Sequence, residues 1–540
     1  MISRVLATVV AAAVVLAGKD AYKLVQILVH PYFSPMRSVD GPPDPDGSDY
    51  DTVLKDDPLV MERWAREYGS VYKYAAKLKI PTLASTDARA IAHVLGHPDV
   101  YQKPELLQRA LRLIFGAGML TVEGDEHGKQ RRVMSPAFGN AQMRDLTHIF
   151  LEKTEQLKEV LLGLIAEAES DQASVEVMHL LTKTTLDVIG LAGFDYDFEA
   201  LSSGETANKL GDAIYAIVNQ PPPSFLDILQ IVFPTFQVIP TKNSKRLKEA
   251  NAVLHRVGLQ LVAEKKSEVL ATSGPSVDKS TFRSKDILGL LVRANMANDL
   301  PESSRMSDAE IVAQIPTLIA AGHETTSTMM TWVLYALSLN QDAQDKLRIE
   351  LQTGHDDVGD SPSMEQLHAF PYLDAVIRET LRMWPPLPFL SREARKTDVI
   401  PTEQPWTDKN GQQHDGIPVT AGDAIVVPVL AMNRSTDIWG PDAGEFKPER
   451  WLDPHHPAPH VQNVPLPGLL SFSGGPRACI GFRFAIVEMK AMLYVLIRSF
   501  RLALAVEPEE LTMQAGLILR PYVLAELEKE PQLLLLISAL

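Results

Sequence analysis

From Ser307 to Leu339 the sequence keeps a helical pattern of apolar residues, and an element of that length needs other long helices to cover it. Its start reads as a capping box, Ser307 followed three residues later by Glu310. Pro316 lies inside it without an N–H to give, so a kink is expected about two turns before Thr325. Further long helices are expected over Met143–Glu167, Ser244–Glu268 and Gly481–Ser499. The flanks read differently. A short helix ends at Gly69, strands are expected at Val71–Tyr74 and Pro81–Ala84, and a turn-rich stretch with short strands fills Pro385 to Val429, with DKNGQQHDG as a hairpin tip. A little β, much α, then more β predicts one large mainly α domain carrying a small β-rich lobe built from both ends, an α+β class. No internal repeat or low-complexity segment interrupts it.

The chain has 540 residues and ample apolar content for a sizeable core. A net charge of −16 argues against a nucleic-acid partner, which needs a basic face. With one cysteine, Cys479, the chain has no internal disulfide and no four-cysteine metal site, and this composition suits a reducing, cytosol-facing location. Three nucleotide and metal signatures are missing. GAGMLT at Gly116 has Thr121 where a dinucleotide loop needs its third glycine, GDEHGK is one residue short of a phosphate-binding loop, and HETTS from His323 has Ser327 where a zinc protease needs its second histidine. No flavin or NAD(P) site is expected on this chain.

VLATVVAAAVVLAG, Val5 to Gly18, is uncharged, and as a helix it reaches about 21 Å against a hydrocarbon core of about 30 Å. Continued through KDAYKLVQILV to Val29 it is long enough to span, with lysines snorkelling towards headgroups. The competing reading is a cleaved signal peptide with LAG as its cleavage site, but no cysteine framework follows to suggest an oxidising destination. The expected organisation is a membrane anchor with an amphipathic segment over 1–36, a Pro/Gly/Asp-rich linker over 37–57 that contains GPPDPDG, and one catalytic domain over 58–540.

The stretch FSGGPRACIG, 472–481, holds the lone thiol. Taken alone, one cysteine is most often a small buried hydrophobe. Its neighbours argue for more. A thiolate that binds metal without other cysteines suits the fifth position of a haem iron, where it pushes electron density towards oxygen. Glycines at 474, 475 and 481 permit a turn that offers N–H groups to sulfur, and Arg477 is placed to meet a carboxylate.

Phe472, Gly475, Arg477, Cys479 and Gly481 form F-x-x-G-x-R-x-C-x-G, which closely resembles the haem loop of cytochrome P-450 monooxygenases. Chance agreement of the four companions around a given cysteine is on the order of 10⁻⁵. The resemblance covers about residues 58 to 525 in order. It implies the cytochrome P-450 fold, with haem b between the long central helix and the Cys479 thiolate, and O2 as co-substrate. AAGHETTS, 320–327, matches the family's oxygen-activating motif: small Ala321 and Gly322 let a flat cofactor approach, and Glu324 and Thr325 are by resemblance the proton-delivery pair. The threonine hydroxyl can also bond back to the Ala321 carbonyl and open the helix locally. Glu379 and Arg382 share a helix face and on their own make an ordinary ion pair. In the family such a pair joins an arginine from a later P-E-R segment, here Arg450 in FKPERW, as a structural network under the haem. In GDEHGKQRR, where relatives show W-x-x-x-R, this chain has His127 and Arg131 as propionate partners, and Arg392 in LSREAR is a further one.

The resemblance further implies that electrons arrive from a separate protein. The anchor points to the NADPH-dependent cytochrome P-450 reductase of the endoplasmic reticulum, with cytochrome b5 as a second donor, and to a catalytic domain facing the cytosol. A basic patch of Lys129, Arg132, Arg483 and Lys490 is expected to receive the acidic flavin domain. The substrate is expected to be lipophilic, because LLQRALRLIFGAGML, the PPPSFLDILQIVFP region, Leu387–Leu390 and Gly516–Leu519 are apolar. HPYFSP and REYGSVYKY resemble membrane-bound enzymes of filamentous and mushroom-forming fungi, which implies a terpenoid, sterol or aromatic substrate. Two rivals remain open: a reductase-independent haem-thiolate isomerase or dehydratase, and a non-catalytic haem protein that binds a gas.

Overall fold

The computed structural model describes residues 29–43, 57–76, 80–168, 170–202, 209–218, 223–273, 286–297, 304–456 and 461–540, with residues 18, 25, 53 and 301 between them. The apolar run from Val5 lies outside the described residues apart from Gly18, and its extension apart from Val25 and Val29. Among the described residues no helix is long and apolar enough to cross a membrane. Within the stretch read as a linker, Val39 is buried, Asp40 O accepts from Lys73 N at 2.9 Å, and a side chain on Gly41 would overlap the Lys73 carbonyl.

The helices that position the site are α1 (Ala88–Gly96), α2 (Gly124–Met134), α3 (Asn140–Glu167), α4 (Val177–Phe194), α5 (Lys242–Ser273), α6 (Gln314–Leu339), α7 (Pro371–Met383) and α8 (Phe482–Ser499). The four long helices expected from periodicity are present. The longest pattern is interrupted rather than kinked. Ser307 caps a short helix, Asp308–Val312, through the reciprocal bonds of a capping box, and the chain turns at Ala313 before α6 begins. Pro316 has no N–H for the Val312 carbonyl and its ring crowds that oxygen, which accounts for the break. Gln314 uses the opening: its Oε1 accepts from Met119 N at 2.9 Å and its Nε2 donates to Gln130 Oε1 at 3.0 Å. Gly118 then sits so close that a Cβ there would lie 2.5 Å from the Ala313 carbonyl oxygen.

Past the break, α6 is apolar on most sides, as a helix inside a core must be. Ile315, Ile319, Met330, Val333 and Leu337 are buried within the cluster that also takes in α3, α4 and α8. Thr331 satisfies its hydroxyl on the Ser327 carbonyl at 2.8 Å, one way a polar residue enters the core of a helix.

Both ends of the chain build the β lobe. Strand β1 (Val71–Ala76) pairs antiparallel with β2 (Ile80–Ser85), with Val71 opposite Ser85. The sheet continues as β8 (Ala424–Val427) parallel to β2, β5 (Leu390–Ala394) antiparallel to β8, and β3 (Tyr101–Gln102) at the edge. The expected hairpin forms between β6 (Asp398–Thr407) and β7 (Gln413–Val419), with Gly411 at φ +81 in its tip. A second hairpin, β10 (Leu511–Ala515) and β11 (Leu519–Val523), leans on α6, where the Trp332 indole donates to Leu519 O at 3.0 Å. A separate three-stranded sheet, β4 (Gln172–Glu176), β12 (Leu534–Ala539) and β9 (Phe500–Leu504), closes the far side.

Candidate active site

The cysteine loop is a tight scaffold. Cys479 N donates to Phe472 O at 2.9 Å, Ala478 N to Gly475 O at 3.1 Å, and Gly475 N to Asn463 O at 2.9 Å. Of the three glycines expected to shape it, one is forced. Gly475 has φ +63, and a Cβ there would lie 2.2 Å from the Leu95 carbonyl oxygen at the end of α1. Gly474 is extended at φ −154, and Gly481 at φ −88 heads α8 with only ordinary contact to Phe138. Ser473 also takes a left-handed conformation, φ +60, which the sequence did not announce. Phe472 and Phe482 rings lie 6.2 Å apart. Cys479 carries exposed surface although protein encloses its sulfur, so the thiol borders an interior space. That enclosure pushes its pKa up, opposed by the Gly481 N–H and by the Arg131 charge, both of which favour thiolate.

Cations converge beside the loop. Arg131, on α2, donates to Ala478 O at 2.7 Å. Arg477 donates to Val122 O at 2.9 Å and forms an ion pair with Glu123, which also meets Lys103 at 3.2 Å. Arg392 is buried on β5, with its guanidinium on its neighbour's carbonyl, Ser391 O. Burial, then Arg477 and Arg392, push Lys103 down to about 7, while burial, then Lys103 and Arg131, push the buried His127 down to about 4. Burial lowers Arg392 and Arg477 to about 10. Lys103 and His127 are pushed down by the cations beside them even with Glu123 present, and a further acidic group placed here would relieve them. The sequence found His127, Arg131, Arg392 and Arg477. It missed Lys103 and Glu123, which belong to no motif.

On α6, Thr325 donates to the Ala321 carbonyl at 2.7 Å, as expected. Ala321 is exposed in a helix whose neighbours His323 and Thr326 are buried. The expectation for Gly322 fails. A Cβ there would lie 2.8 Å from Ile189, so the missing side chain admits α4 rather than a cofactor. Glu324 forms an ion pair with Arg520 on β11, a partner no motif supplied. Thr326 faces Glu488 of α8, which brings this turn of α6 close to the helix that follows Cys479.

The Glu379 network assembles more fully than expected. Glu379 and Arg382, both without exposed surface, make two parallel bonds of 2.9 and 2.8 Å. Arg382 spends its other N–H groups on Asn433 O at 3.0 Å, Ala443 O at 2.7 Å and Glu445 O at 3.0 Å. Glu379 also accepts from Lys447 N and the Trp451 indole, each at 2.9 Å. Arg450 reaches Glu379 only at 3.5 Å and bonds Asp442 at 3.0 Å instead. The network touches the cysteine loop through Asn433, whose side chain donates to Ser471 Oγ at 2.9 Å.

The expected docking patch needs correction. Lys490 is buried and paired with Asp374 at 2.8 Å, because its position on α8 points into the core. Lys129 is held by Glu310. Arg132 and Arg483 remain exposed.

One thiol in a loop that turns an N–H and a cation towards its sulfur, a cationic flank fit for carboxylates, and a helix that offers a hydroxyl and a carboxylate define a site for a flat, acidic metal cofactor of a redox enzyme. The comparisons agree. The chain belongs to the cytochrome P-450 family, whose profile matches residues 52–527. It is 42% identical over 540 residues to cytochrome P-450 monooxygenase 128 of Postia placenta (98% of this chain, 97% of that one), and 41% identical over 535 residues to monooxygenase 205 of the same fungus (98% and 97%). It is 30% identical over 516 residues to ganoderic acid synthetase of Ganoderma lucidum (92% and 93%). The resemblance to fungal members of the family is confirmed, and the chain is a cytochrome P-450 monooxygenase. The family's haem is held by a cysteine thiolate, and Cys479 is the chain's one cysteine. The residues present fit that group: Cys479 would hold the iron, and Arg131, Arg392, Arg477 and His127 stand where two propionates would answer the excess of cations.

Proposed function

We propose that this monooxygenase inserts one oxygen atom of O2 into a lipophilic small molecule of the terpenoid, sterol or aromatic class, with electrons from an NADPH-dependent reductase. The observation that carries this reading is the turn of α6 around Thr325, where the hydroxyl bonds back to Ala321 O at 2.7 Å beside exposed Ala321, with a carboxylate one residue earlier. Haem supplies oxygen activation and electron transfer. The chain's own residues do the rest. Glu324 would take up a proton from solvent and hand it to a water molecule, which Thr325 positions by accepting its hydrogen bond while the threonine's own hydrogen stays bonded to the Ala321 carbonyl, so that the water delivers the proton. Such a relay favours oxygen cleavage over the isomerase and gas-binding rivals, which have no use for it.

Apolar surface supports the substrate class: Leu113 and Leu517 are exposed in two of the segments read as pocket-lining. A relative named ganoderic acid synthetase supports a small-molecule substrate. The reductase, with cytochrome b5 as an alternative donor, is proposed to dock over Arg132 and Arg483, the two members of the basic patch left free of the core. The anchor reading places the enzyme on the cytosolic face of the endoplasmic reticulum; membrane pelleting of the full chain after alkaline carbonate washing supports it, and release into the supernatant overturns it. The activity test is turnover with reductase, NADPH and ¹⁸O2 over a panel of terpenoids, sterols and aromatics. The expected product carries one ¹⁸O and needs reductase. Product without reductase favours the isomerase, and a reducible haem that turns over nothing favours the gas-binding protein.

A further inference from the structure

Four of the chain's tryptophans lie in two pairs, and the pairs sit in different electrostatic settings. Trp332 and Trp384 are parallel to within 5°, with ring centroids 5.5 Å apart, and Tyr335 stands edge-on to them at 5.4 and 5.7 Å. Trp439 and Trp451 are also 5.5 Å apart, but the Arg382 guanidinium lies over the first at 5.2 Å and Arg378 over the second at 5.8 Å. A cation over a ring is held by the electron-rich face, so it opposes removal of an electron from that ring. Among the described residues neither Trp332 nor Trp384 carries such a cation. Burial, then the charge of exposed Glu509, pushes the Tyr335 phenol up, and the same negative charge favours a positive one arriving at this ring.

Place in the fold gives the three rings a direction. Trp332 is buried on α6, two turns after Thr325 on the same face and about 10 Å along the axis. Its indole N–H donates to Leu519 O at 3.0 Å, and a backbone carbonyl is no base, so an oxidised Trp332 keeps its proton and passes the charge on. Trp384 and Tyr335 are half-buried, and the Tyr335 phenol can give up a proton as it gives up an electron.

We propose that Trp332, Trp384 and Tyr335 form a discharge path that carries oxidising equivalents from the Thr325 turn of α6 to the surface when no substrate is there to receive them. This goes beyond the proposed oxygen insertion and depends only on haem held at Cys479. The added activity is that of a peroxidase. Hydrogen peroxide is reduced to two waters, and the two electrons cross the chain one at a time. Each time Trp332 gives an electron to the haem centre, Trp384 or Tyr335 refills it, and Tyr335 releases its phenolic proton. A soluble enediol of the ascorbate class returns a hydrogen atom to the Tyr335 oxygen. Two such passages turn one peroxide and one enediol into two waters and a diketone, with no proton or electron left over. Trp439 and Trp451 stay outside the path because Arg382 and Arg378 hold them against oxidation.

The test uses the purified, haem-loaded full chain without substrate, each variant first matched to wild type for its carbon monoxide band. After mixing with hydrogen peroxide and rapid freezing, electron paramagnetic resonance is expected to show a tyrosyl radical in wild type. Tyr335→Phe, which keeps the ring and removes one oxygen, should replace it by an indole radical, and Trp332→Phe should lose most of both. With ascorbate present, the peroxide needed to bleach half of the haem absorbance should fall several-fold in Tyr335→Phe and Trp332→Phe, while Trp406→Phe, in the β6–β7 hairpin, matches wild type. If Trp332→Phe fails to hold haem, Tyr335→Phe decides alone. The same radical in Tyr335→Phe as in wild type, or equal bleaching of all four proteins, would overturn the path. So would oxidation found by mass spectrometry at Trp439 and Trp451 rather than at Trp332, Trp384 and Tyr335.

Discussion

Replacing Glu379 by glutamine removes a charge from the most completely buried ion pair in the site. The carboxylate and the Arg382 guanidinium have no exposed surface, and Glu379 accepts bonds of 2.9, 2.8, 2.9 and 2.9 Å from Arg382 Nε, its terminal nitrogen, Lys447 N and Trp451. Breaking such a pair costs about 3–5 kcal/mol, because the arginine charge stays buried. That is a large part of a total stability of about 5–15 kcal/mol. Glutamine also turns an amide donor towards donors that need an acceptor, so Glu379→Gln is expected in the upper half of that range. Arg450→Ala should cost less, about 1–2 kcal/mol, because its contact to Glu379 is 3.5 Å long and its closer partner Asp442 is 28% exposed. The double variant Glu379→Leu/Arg382→Met, which removes both charges, should recover part of the loss. The assay is urea unfolding followed by tryptophan fluorescence, with the slope checked for a change in the denatured state. A loss below about 1 kcal/mol in Glu379→Gln, or additive losses in the double variant, would refute the reasoning.

Three further outcomes follow from particular contacts. Gly475→Ala should cost at least about 2 kcal/mol and most of the haem content, since φ +63 is strained for alanine and the added carbon meets Leu95 O; Gly481→Ala, with ordinary contacts, should unfold close to wild type. Glu488 is buried, and burial pushes it well above the usual carboxylate range against the smaller opposing effect of the Thr326 hydroxyl, so the folded protein holds this proton to higher pH than the unfolded chain does. The stability this gives is full below the unfolded pKa of 4.5 and is lost as pH rises towards the folded value, at up to about 1.4 kcal/mol per pH unit. Unfolding at a series of pH values should therefore show Glu488→Gln gaining on wild type as pH rises; parallel curves would contradict it. Thr325→Ala should leave substrate binding near wild type while product per NADPH falls by about tenfold or more, read by comparing peroxide and product yields.

What the sequence disclosed and what it withheld divide by distance along the chain. The Cys479 loop, the capping box at Ser307 and the Glu379–Arg382 pair are local, and each was legible because neighbouring residues decide it. Arg450 was legible through a motif, yet its principal partner, Asp442, was not. Glu123, Lys103 and Arg520 come from segments without a pattern, and only the fold brings them to Arg477, Glu123 and Glu324. Burial misled twice for the same reason. Gly322 looked like room for a cofactor and is filled by Ile189 of a helix far upstream, and Lys490 looked like a surface charge and is sequestered by Asp374. Pro316 was read correctly as a disturbance, but what the break does, seating the 116–119 loop through Gln314, depends on a loop the helix cannot foresee.

The most direct test of the central claim is the absorption spectrum of the purified protein, reduced and exposed to carbon monoxide, beside Cys479→Ala. The expected result is a strongly red-shifted Soret band in wild type that is absent from the variant, because a thiolate opposite carbon monoxide shifts the band and this chain has one thiol to give. The same band in both proteins, or no haem band in correctly folded wild type, would contradict Cys479 as the iron ligand.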